Sequence, residues 1–207
     1  MEQRTDEWLQ ARLGKCTASR IADVMAKTQS GPGAARKNYA AELIAERLTG
    51  TPTEKFQNAA MAWGAEKEPE ARAAYEFMTD ATVEEVGFID HPQIEMSGAS
   101  PDGLVWQVGM VEIKCPNTAT HIDTLLAGKV PDKYIKQMLW QMDCTGREWC
   151  DFVSYDPRLP AEMQLWVHRV ERDDEAIAEI RREVEDFLAE VSETVERLES
   201  MYRSEAA

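Results

Sequence analysis

The chain has 207 residues, of which 43% are hydrophobic and 29% are charged. This length suits one globular domain, and no apolar run approaches the roughly 20 residues that a membrane-spanning helix requires. The 23 basic and 38 acidic residues give a formal net charge of −15, which argues against a protein that binds nucleic acid through a broadly basic surface. The first residues contain no apolar signal region, so a cytoplasmic location is expected.

Two short helices are predicted near the start of the chain. The first spans residues 5–13, with Thr5 as a possible N-cap. Three apolar residues are expected on its inner side: Trp8, Leu9 and Leu13. The second spans 20–27, and Thr17 or Ser19 could cap it. Both predictions rest on capping residues that precede an apolar pattern.

Two longer helices follow a loop at 30–33. An amphipathic helix is predicted over 37–48 because four apolar residues share one face. They are Tyr39, Leu43, Ile44 and Leu48. A longer helix is predicted over about 56–78, with a bend near Gly64 or at Pro69.

The pattern changes after Asp80 from helical to β-prone. Short strands are predicted at 82–90, 94–97, 102–107 and 109–115. The turn at 107–109 makes the last two of these a hairpin. A helix is predicted from Asp132 to about Cys144, and two strands over 149–155 and 163–170.

One long charged helix is predicted over 173–202. Its apolar stripe consists of Ile177, Ile180, Val184, Phe187, Leu188 and Val191. Much of the acidic charge lies between Glu171 and Glu199, which is typical of a solvated helix face. The order of the elements predicts an α/β fold in which a central mixed β-sheet is flanked by helices.

Four cysteines are present, at Cys16, Cys115, Cys144 and Cys150. They form no C-x-x-C pair and no zinc-ligand spacing with the three histidines. Reduced thiols in small apolar sites are therefore expected. None of the histidines lies in a metal-like pair, and no histidine is assigned to catalysis.

The segment around Asp102 and the strand ending at Lys114 combine two carboxylates with one lysine. Glu112 and Lys114 are two residues apart, so they point to the same face of a strand, while Ile113 faces a core. Asp102, at the end of a neighbouring strand, can reach the same point. Two carboxylates at one point repel each other unless a divalent cation lies between them. Two carboxylates that can hold a divalent cation, with a lysine beside them, are the groups that metal-assisted cleavage of a phosphodiester requires.

The same residues have ordinary structural interpretations. Pro-Asp-Gly at 101–103 is a common turn signal, and Glu-x-Lys on a strand is a common solvated face. Short motifs also have many false matches. The nuclease interpretation therefore depends on the rest of the chain.

Six blocks of sequence provide that support. They are Trp8 with Arg12-Leu13-Gly14 and Thr17-Ala18-Ser19; Ala62-Trp63-Gly64 with Glu68 and Ala71-Arg72; Ser100-Pro101-Asp102-Gly103-Leu104; Glu112-Ile113-Lys114-Cys115-Pro116; Tyr134 with Gln137; and Tyr155-Asp156-Pro157-Arg158. Their order and spacings resemble the lambda-type phage exonucleases, also called the viral recombinase or alkaline exonuclease family, within the PD-(D/E)xK nuclease superfamily. The resemblance implies a restriction-endonuclease-like core with a long C-terminal helix.

The resemblance also implies roles for individual residues. Two Mg²⁺ ions would be held, with Mn²⁺ as a substitute and Ca²⁺ as an inhibitor. The implied ligands are Glu68, Asp102, Glu112 and the backbone carbonyl of Ile113. Lys114 would orient or deprotonate the attacking water, or act through its charge alone, and Gln137 would lie beside the water or scissile phosphate. Without the resemblance, Glu68 and Gln137 are ordinary surface residues of helices.

A second group of residues is implied to bind the DNA end. Arg12, Ser19 and Ser100 would form a pocket for a terminal 5′-phosphate, since arginine grips phosphate bidentately. Ser19 as a helix cap is compatible with this role. Met61 matches an apolar wedge that parts the terminal base pair, although a core methionine is the plainer interpretation.

The resemblance implies a Mg²⁺-dependent 5′→3′ exonuclease that digests one strand of linear double-stranded DNA, from a phage or prophage in a bacterial host cell. It further implies a ring-shaped homotrimer and a single-strand annealing protein as partner. A ring would hold DNA by enclosing it, so the protein would need little electrostatic attraction to DNA in spite of its net negative charge. A single nuclease domain over 1–207 is expected, with a helical part (1–80), a catalytic core (81–170) and a C-terminal helix (171–207). The alternatives are a site-specific or structure-specific endonuclease and a non-catalytic acidic interaction protein.

Overall fold

The computed structural model describes residues 2–29, 31–53 and 59–203. Within them the helices are α1 Asp6–Arg12, α2 Ile21–Val24, α3 Ala34–Thr49, α4 Ala59–Thr79, α5 Thr118–Ala127, α6 Asp132–Thr145 and α7 Asp174–Tyr202. The strands are β1 Cys16–Thr17, β2 Lys27–Thr28, β3 Gly31–Pro32, β4 Val83–Glu84, β5 Ile89–Asp90, β6 Ser97–Ala99, β7 Gly103–Val105, β8 Gly109–Lys114, β9 Trp149–Tyr155 and β10 Leu165–Glu171. Single 3₁₀ turns span Ala18–Arg20 and Ala161–Met163.

A five-stranded mixed sheet forms the centre of the protein, in the order β10-β9-β8-β7-β4. Strand β8 is parallel to β9, and the other neighbours are antiparallel. All seven residues of β9 are buried, as expected for a strand that is covered on both faces. The prediction of an α/β fold with a central mixed sheet flanked by helices is confirmed.

Successive residues of β8 face two different cores, as the pleat of a strand requires. Met110 packs with α6 and α7 in the larger core, which contains Trp140 and Phe187. Val111 and Ile113 pack on the other face, against residues of α4. The predicted orientation of Ile113 into a core is confirmed, and this alternation leaves the Glu112 side chain on the α6 face.

A second, three-stranded sheet has the order β1-β6-β5, with β1 parallel to β6. This pairing brings the N-terminal segment beside the residues that precede β7. The predicted strand over 82–90 is wrong as a single element, because its two ends form β4 and β5 in different sheets. The predicted loop at 30–33 overlaps the short hairpin of β2 and β3.

Several predicted helices are confirmed with small shifts. Thr5 caps α1, and its side chain accepts a hydrogen bond from the Trp8 backbone N–H at 3.3 Å. The predicted apolar stripe of α7 is buried at all six positions. The start of the predicted helix over 56–78 lies outside the described residues, and Pro69 lies within α4.

Other helix predictions are wrong. Leu9 is 41% exposed rather than on an inner face. Helix α2 ends at Val24, and neither Thr17 nor Ser19 makes a side-chain capping bond to it or to the 3₁₀ turn that precedes it. Helix α5 was not predicted because threonine and histidine are weak helix formers. It depends instead on an Asn117 cap and on tertiary bonds of its buried histidine.

Gly103, the first residue of β7, is required by close packing between strands. A Cβ atom at this position would lie 2.1 Å from Cγ1 of Val83 on β4. Any larger residue would therefore push β7 away from β4 and move the residue that precedes it, Asp102. The Pro-Asp-Gly turn thus places an acidic side chain at the start of a tightly packed strand.

Candidate active site

Asp102, Glu112 and Lys114 meet at the junction of β7 and β8. Asp102 directly precedes β7, and its Oδ2 accepts a hydrogen bond from the Ile113 backbone N–H at 2.7 Å. Lys114 and Glu112 lie on the same face of β8, and the Lys114 ammonium donates to Oε1 of Glu112. The structure therefore brings together the three residues that the motif singled out.

The electrostatics of this group are dominated by the repulsion between the neighbouring carboxylates of Asp102 and Glu112. Removal from water raises the pKa of Asp102 well above its ordinary value, and the neighbouring Glu112 raises it further. Burial lowers the pKa of Lys114, but the carboxylates of Glu112 and Asp102 outweigh that effect and raise it. Lys114 is thus an ammonium that balances part of the acidic charge, which favours its electrostatic role over a role as base.

Two glutamines of α6 hold the Glu112 carboxylate, whose side chain is only 1% exposed. Gln137 donates from Nε2 to Oε1 of Glu112 at 2.6 Å. Gln141 donates from Nε2 to Oε2 of Glu112 at 2.7 Å. Gln137 was a candidate from the sequence, whereas Gln141 was missed. Its spacing of one helical turn from Gln137 was the only available signal.

Glu68 of α4 lies at the edge of this group, with its side chain 16% exposed. Arg72 donates to Oε1 of Glu68 at 3.0 Å, and Arg4 donates to Oε2. Arg72 also reaches the backbone carbonyl of Asp102 at 3.5 Å. The negative charge of Glu68 contributes to the raised pKa of Asp102. Glu68 is therefore an electrostatic neighbour of the two central carboxylates and is itself paired with arginines.

The donor atoms at this point suit a hard cation, since they are carboxylate oxygens beside a backbone carbonyl. The N–H and C=O of a strand residue point to the same side, so the Ile113 carbonyl lies on the Asp102 side of β8. In residues 2–29, 31–53 and 59–203, no three His, Cys, Asp or Glu side chains are gathered closely enough to hold a metal ion. Both carboxylate oxygens of Glu68 accept hydrogen bonds from arginines.

A cavity of about 770 Å³ is lined by residues of α1, α3 and α4 and by Arg4, the residue that donates to Glu68. Arg12 lies in it with its guanidinium 4.1 Å from the centre of the Trp8 ring. Arg12 donates to the Ser100 hydroxyl at 3.1 Å, and Trp8 donates to the same oxygen at 2.9 Å. Burial lowers the pKa of Arg12. Arg12 is therefore hydrogen-bonded to Ser100, and Ser100 lies two residues before Asp102 in the chain.

The other two candidates for the DNA-end site also line this cavity. Ser19 is exposed, and in the described part of the chain no hydrogen bond joins it to Arg12 or Ser100. Met61 is 52% exposed, so its interpretation as a core methionine is wrong. The cavity gathers four basic residues, Arg4, Arg12, Lys15 and Arg20. Glu42 and Glu46 also line the cavity, so its lining has two more basic than acidic residues, whereas the whole chain has a net charge of −15.

The four cysteines are free and buried, as predicted. His168 lies on β10 and stacks on Trp166, with ring centres 5.5 Å apart. Among the described residues, no helix combines the length and apolar character needed to cross a membrane.

Comparison with known proteins gives three informative matches. The profile of the YqaJ-like viral recombinase domain matches residues 7–148. The crystal structure of an alkaline exonuclease (LHK-Exo) from Laribacter hongkongensis is 57% identical, with a TM-score of 0.92, and the match covers 98% of this chain and 100% of that one. The structure of LHK-Exo in complex with dAMP matches with the same values.

A phage-related exonuclease from Haemophilus somnus 129PT has a TM-score of 0.70 at 15% identity, with 89% of this chain and 96% of that chain covered. At this identity the match shows a shared fold only. No curated protein matches the sequence. The family profile spans the residues from α1 to the end of α6, which include every candidate site residue.

Proposed function

The chain belongs to the YqaJ-like viral recombinase family, and from this premise we propose that it is a Mg²⁺-dependent exonuclease. An exonuclease activity is in keeping with the 57% identical alkaline exonuclease. The proposed substrate is linear double-stranded DNA, and the proposed direction is 5′→3′ from a 5′-phosphorylated end. The product would be a 3′ single strand that serves phage-type recombination by strand annealing.

One observation carries this proposal: the hydrogen-bonded pair of Arg12 and Ser100, which could bind an anion, lies close in the chain to Asp102, one of the two carboxylates. Arg12 is bonded to Ser100 at 3.1 Å, and Ser100 lies two residues before Asp102. A terminal phosphate at Arg12 would therefore lie close to the carboxylates that meet at β7 and β8. An enzyme that removes one nucleotide at a time needs this short spacing between its end-binding site and its cleavage site.

The residues that would hold magnesium are Asp102, Glu112 and the Ile113 carbonyl, with Glu68 as an outer ligand. When bound, Mg²⁺ would polarise a phosphoryl oxygen and lower the pKa of a water molecule. Lys114 contributes a positive charge beside the position where negative charge develops. Gln137 and Gln141 hold the Glu112 carboxylate in one orientation. Manganese is expected to substitute for magnesium, and calcium to permit binding without chemistry.

The cavity that Arg12 lines would receive the DNA end. Arg12 offers a guanidinium that matches phosphate, Ser19 and Ser100 add hydroxyl groups, and Trp8 adds an aromatic surface. LHK-Exo has been crystallised with dAMP, a nucleoside monophosphate. Met61, exposed on the wall of the cavity, would separate the terminal base pair by inserting between bases.

A ring-shaped homotrimer and an annealing protein complete the proposal. A ring would retain DNA by enclosing it, so the acidic outer surface of α7 would not prevent digestion. Digestion by an enzyme already loaded is then expected to tolerate salt concentrations that abolish loading. Equal salt sensitivity of loading and digestion would count against enclosure.

The experiment that tests the activity is a digest of linear duplex with a different label on each strand. A 5′-phosphate is placed on one strand only, and a closed circular duplex is treated in parallel. We expect the phosphorylated strand to be shortened from its 5′ end in Mg²⁺, the other strand to survive, and the circle to remain intact. Cleavage of the circle would indicate an endonuclease, and digestion in excess chelator would exclude a requirement for metal.

A further inference from the structure

Three lysines lie close together in the chain where α6 begins. Lys129 is in the loop that joins α5 to α6, and Lys133 and Lys136 are in the first turns of α6. Lys129 and Lys133 are exposed, and Lys136 is half-buried. In the described part of the chain, no carboxylate forms an ion pair with any of the three. These three residues are called the lysine cluster below.

Lysines elsewhere in this acidic protein do find carboxylates. Lys15 pairs with Asp90 at 2.6 Å, and Lys27 pairs with Glu183 at 2.5 Å. The chain has 38 acidic residues, so partners for lysine are plentiful. The absence of ion pairs in the lysine cluster is therefore a property of this surface and not a consequence of the composition.

The arrangement of the lysine cluster is unfavourable by itself. Lys133 and Lys136 are three residues apart on α6, so their positive charges are neighbours on the helix surface. The N-terminal end of a helix carries a partial positive charge, which disfavours lysine there. Asp132 supplies one negative charge to this turn, and the N-cap, Pro131, has no side-chain acceptor for the first N–H groups. An anion at this point would relieve the repulsion and accept hydrogen bonds from the helix end.

The lysine cluster adjoins the candidate active site along α6. Lys133 is one helical turn before Gln137, whose Nε2 donates to Oε1 of Glu112 at 2.6 Å. The Lys133 ammonium lies 4.6 Å from the centre of the Tyr134 ring, and the Lys114 ammonium lies 5.4 Å from the same centre. An aromatic ring attracts an ammonium group without neutralising its charge. An anion bound by the cluster would thus lie beside Glu112 and Lys114.

In the proposed function, the anion that reaches this point is the phosphodiester backbone of DNA. We propose that the lysine cluster binds backbone phosphates of the DNA beside the bond that is cleaved. Lysine contacts to phosphate hold DNA without reading its sequence, as digestion of any linear duplex requires. This inference rests on the proposed function, and it adds a second phosphate-binding site to the one proposed at Arg12.

The test is the salt dependence of binding of the full chain to a fluorescent linear duplex, measured by anisotropy in excess chelator. In Lys133→Gln we expect the slope of log affinity against log salt to become shallower by about 1, the value for one phosphate contact. Replacing all three lysines by glutamine should reduce the slope by about 3. Lys133→Arg keeps the positive charge and should keep the slope of the wild type.

The matched control is Lys37→Gln, which removes the same charge from another exposed position. Tyr39 and Leu43 of α3 line the cavity of Arg12, and the helical period places Lys37 on the opposite face of α3. We expect the control to leave the slope unchanged. Its value shows how much of any effect comes from the net charge alone.

Equal slopes for Lys133→Gln and Lys37→Gln would overturn the inference and leave the proposed function intact. Light scattering tests a different occupant, an acidic surface of a second copy. A change of mass in solution in Lys133→Gln would assign the cluster to that contact and would also overturn the inference. A wild type that does not bind the duplex overturns the inference, and if it also digests no duplex in Mg²⁺, the proposed function fails with it.

Discussion

Two buried carboxylates, Asp143 and Glu112, lie in contrasting surroundings. Both side chains are 1% exposed. Asp143, on α6, accepts hydrogen bonds from Arg181 at 2.6 and 2.7 Å, from Arg172 at 3.1 Å and from His91 at 2.9 Å. Burial alone would raise the pKa of Asp143, but these bonds hold it well below its ordinary value.

Glu112 lies instead beside another carboxylate. Its single cationic partner among the described residues is Lys114, and its neighbour Asp102 has a pKa well above the ordinary value. The two acids thus belong to two kinds of cluster that differ in their charge balance. A buried acid that is matched by cations joins structural elements, whereas acids that face each other destabilise the fold and mark a site for a charged ligand.

The largest expected effect comes from neutralising Glu112, the proposed metal ligand. In Glu112→Gln we expect the exonuclease rate to fall at least about a thousandfold, since the cation loses a charged ligand. The free energy of unfolding should change by less than about 1 kcal/mol, because removing the charge of one of two facing carboxylates relieves their repulsion and offsets the weakened bond to Lys114. Labelled linear duplex reports the rate and urea unfolding the stability. A variant that keeps its activity would contradict the proposed role of Glu112 as a metal ligand, and a variant that unfolds readily would show that Glu112 serves the stability of the fold.

Neutralising the structural acid should give the reverse result. Asp143→Asn leaves two arginines beside a neutral group, so we expect a loss of about 3 kcal/mol in the free energy of unfolding. The cleavage rate per folded molecule should change less than threefold, about 0.6 kcal/mol. Urea unfolding followed by assays at a temperature where the variant is folded measures both. A thousandfold loss of rate in the folded variant would show that Asp143 serves the active site.

Arg12 is the cationic counterpart of the functional acids, since no carboxylate bonds to it in the described residues. For Arg12→Ala we expect the rate on 5′-phosphorylated ends to fall about 10- to 100-fold, the worth of a charged hydrogen bond. Ends with a 5′-hydroxyl should lose much less. Lys15, which lines the same cavity but is paired with Asp90 at 2.6 Å, provides the control. Lys15→Ala should alter both substrates little and equally, and equal losses in the Arg12 variant would refute its assignment.

The smallest effect concerns Asp156, another buried acid matched by a cation. Burial raises its pKa, but bonds from Arg158 and Thr118 outweigh that and lower it to about 2. A depressed pKa contributes stability above the ordinary value of 3.8 and loses it as the pH falls toward about 2. The wild type should therefore exceed Asp156→Asn by about 1 to 2 kcal/mol at pH 6, with the difference shrinking between pH 4 and pH 2. A difference that stays constant over that range would contradict the depressed pKa.

The chemistry of the site could be predicted from the sequence because it depends on local rules. The two-residue spacing of Glu112 and Lys114 places both on one strand face whatever surrounds the strand. The amphipathic stripe of α7 likewise identified its buried residues, since helical periodicity decides which side chains share a face. The resemblance to the exonuclease family then drew attention to Glu68 and Gln137, which periodicity alone assigns to helix surfaces.

Other features depended on contacts between segments that lie far apart in the chain. The predicted strand over 82–90 divides between two sheets because its ends meet different partners. Helix α5 has weak intrinsic propensity and depends on the burial of His121 against Ser154. The exposure of Met61 and Leu9 follows from the cavity that they line. None of these contacts leaves a periodic signal in the local sequence.

Local spacing in the sequence correctly placed Glu112 and Lys114 on one face of β8 and the apolar stripe of α7 in the core, and the sequence matches a family profile. Contacts between distant elements bring Gln141 to one oxygen of Glu112, Arg4 and Arg72 to Glu68, and Arg12 to Ser100. The physical reason is that side-chain spacing along one strand or helix follows from backbone geometry. Pairing between elements follows from packing of the whole chain, which settles where each polar group finds its partner.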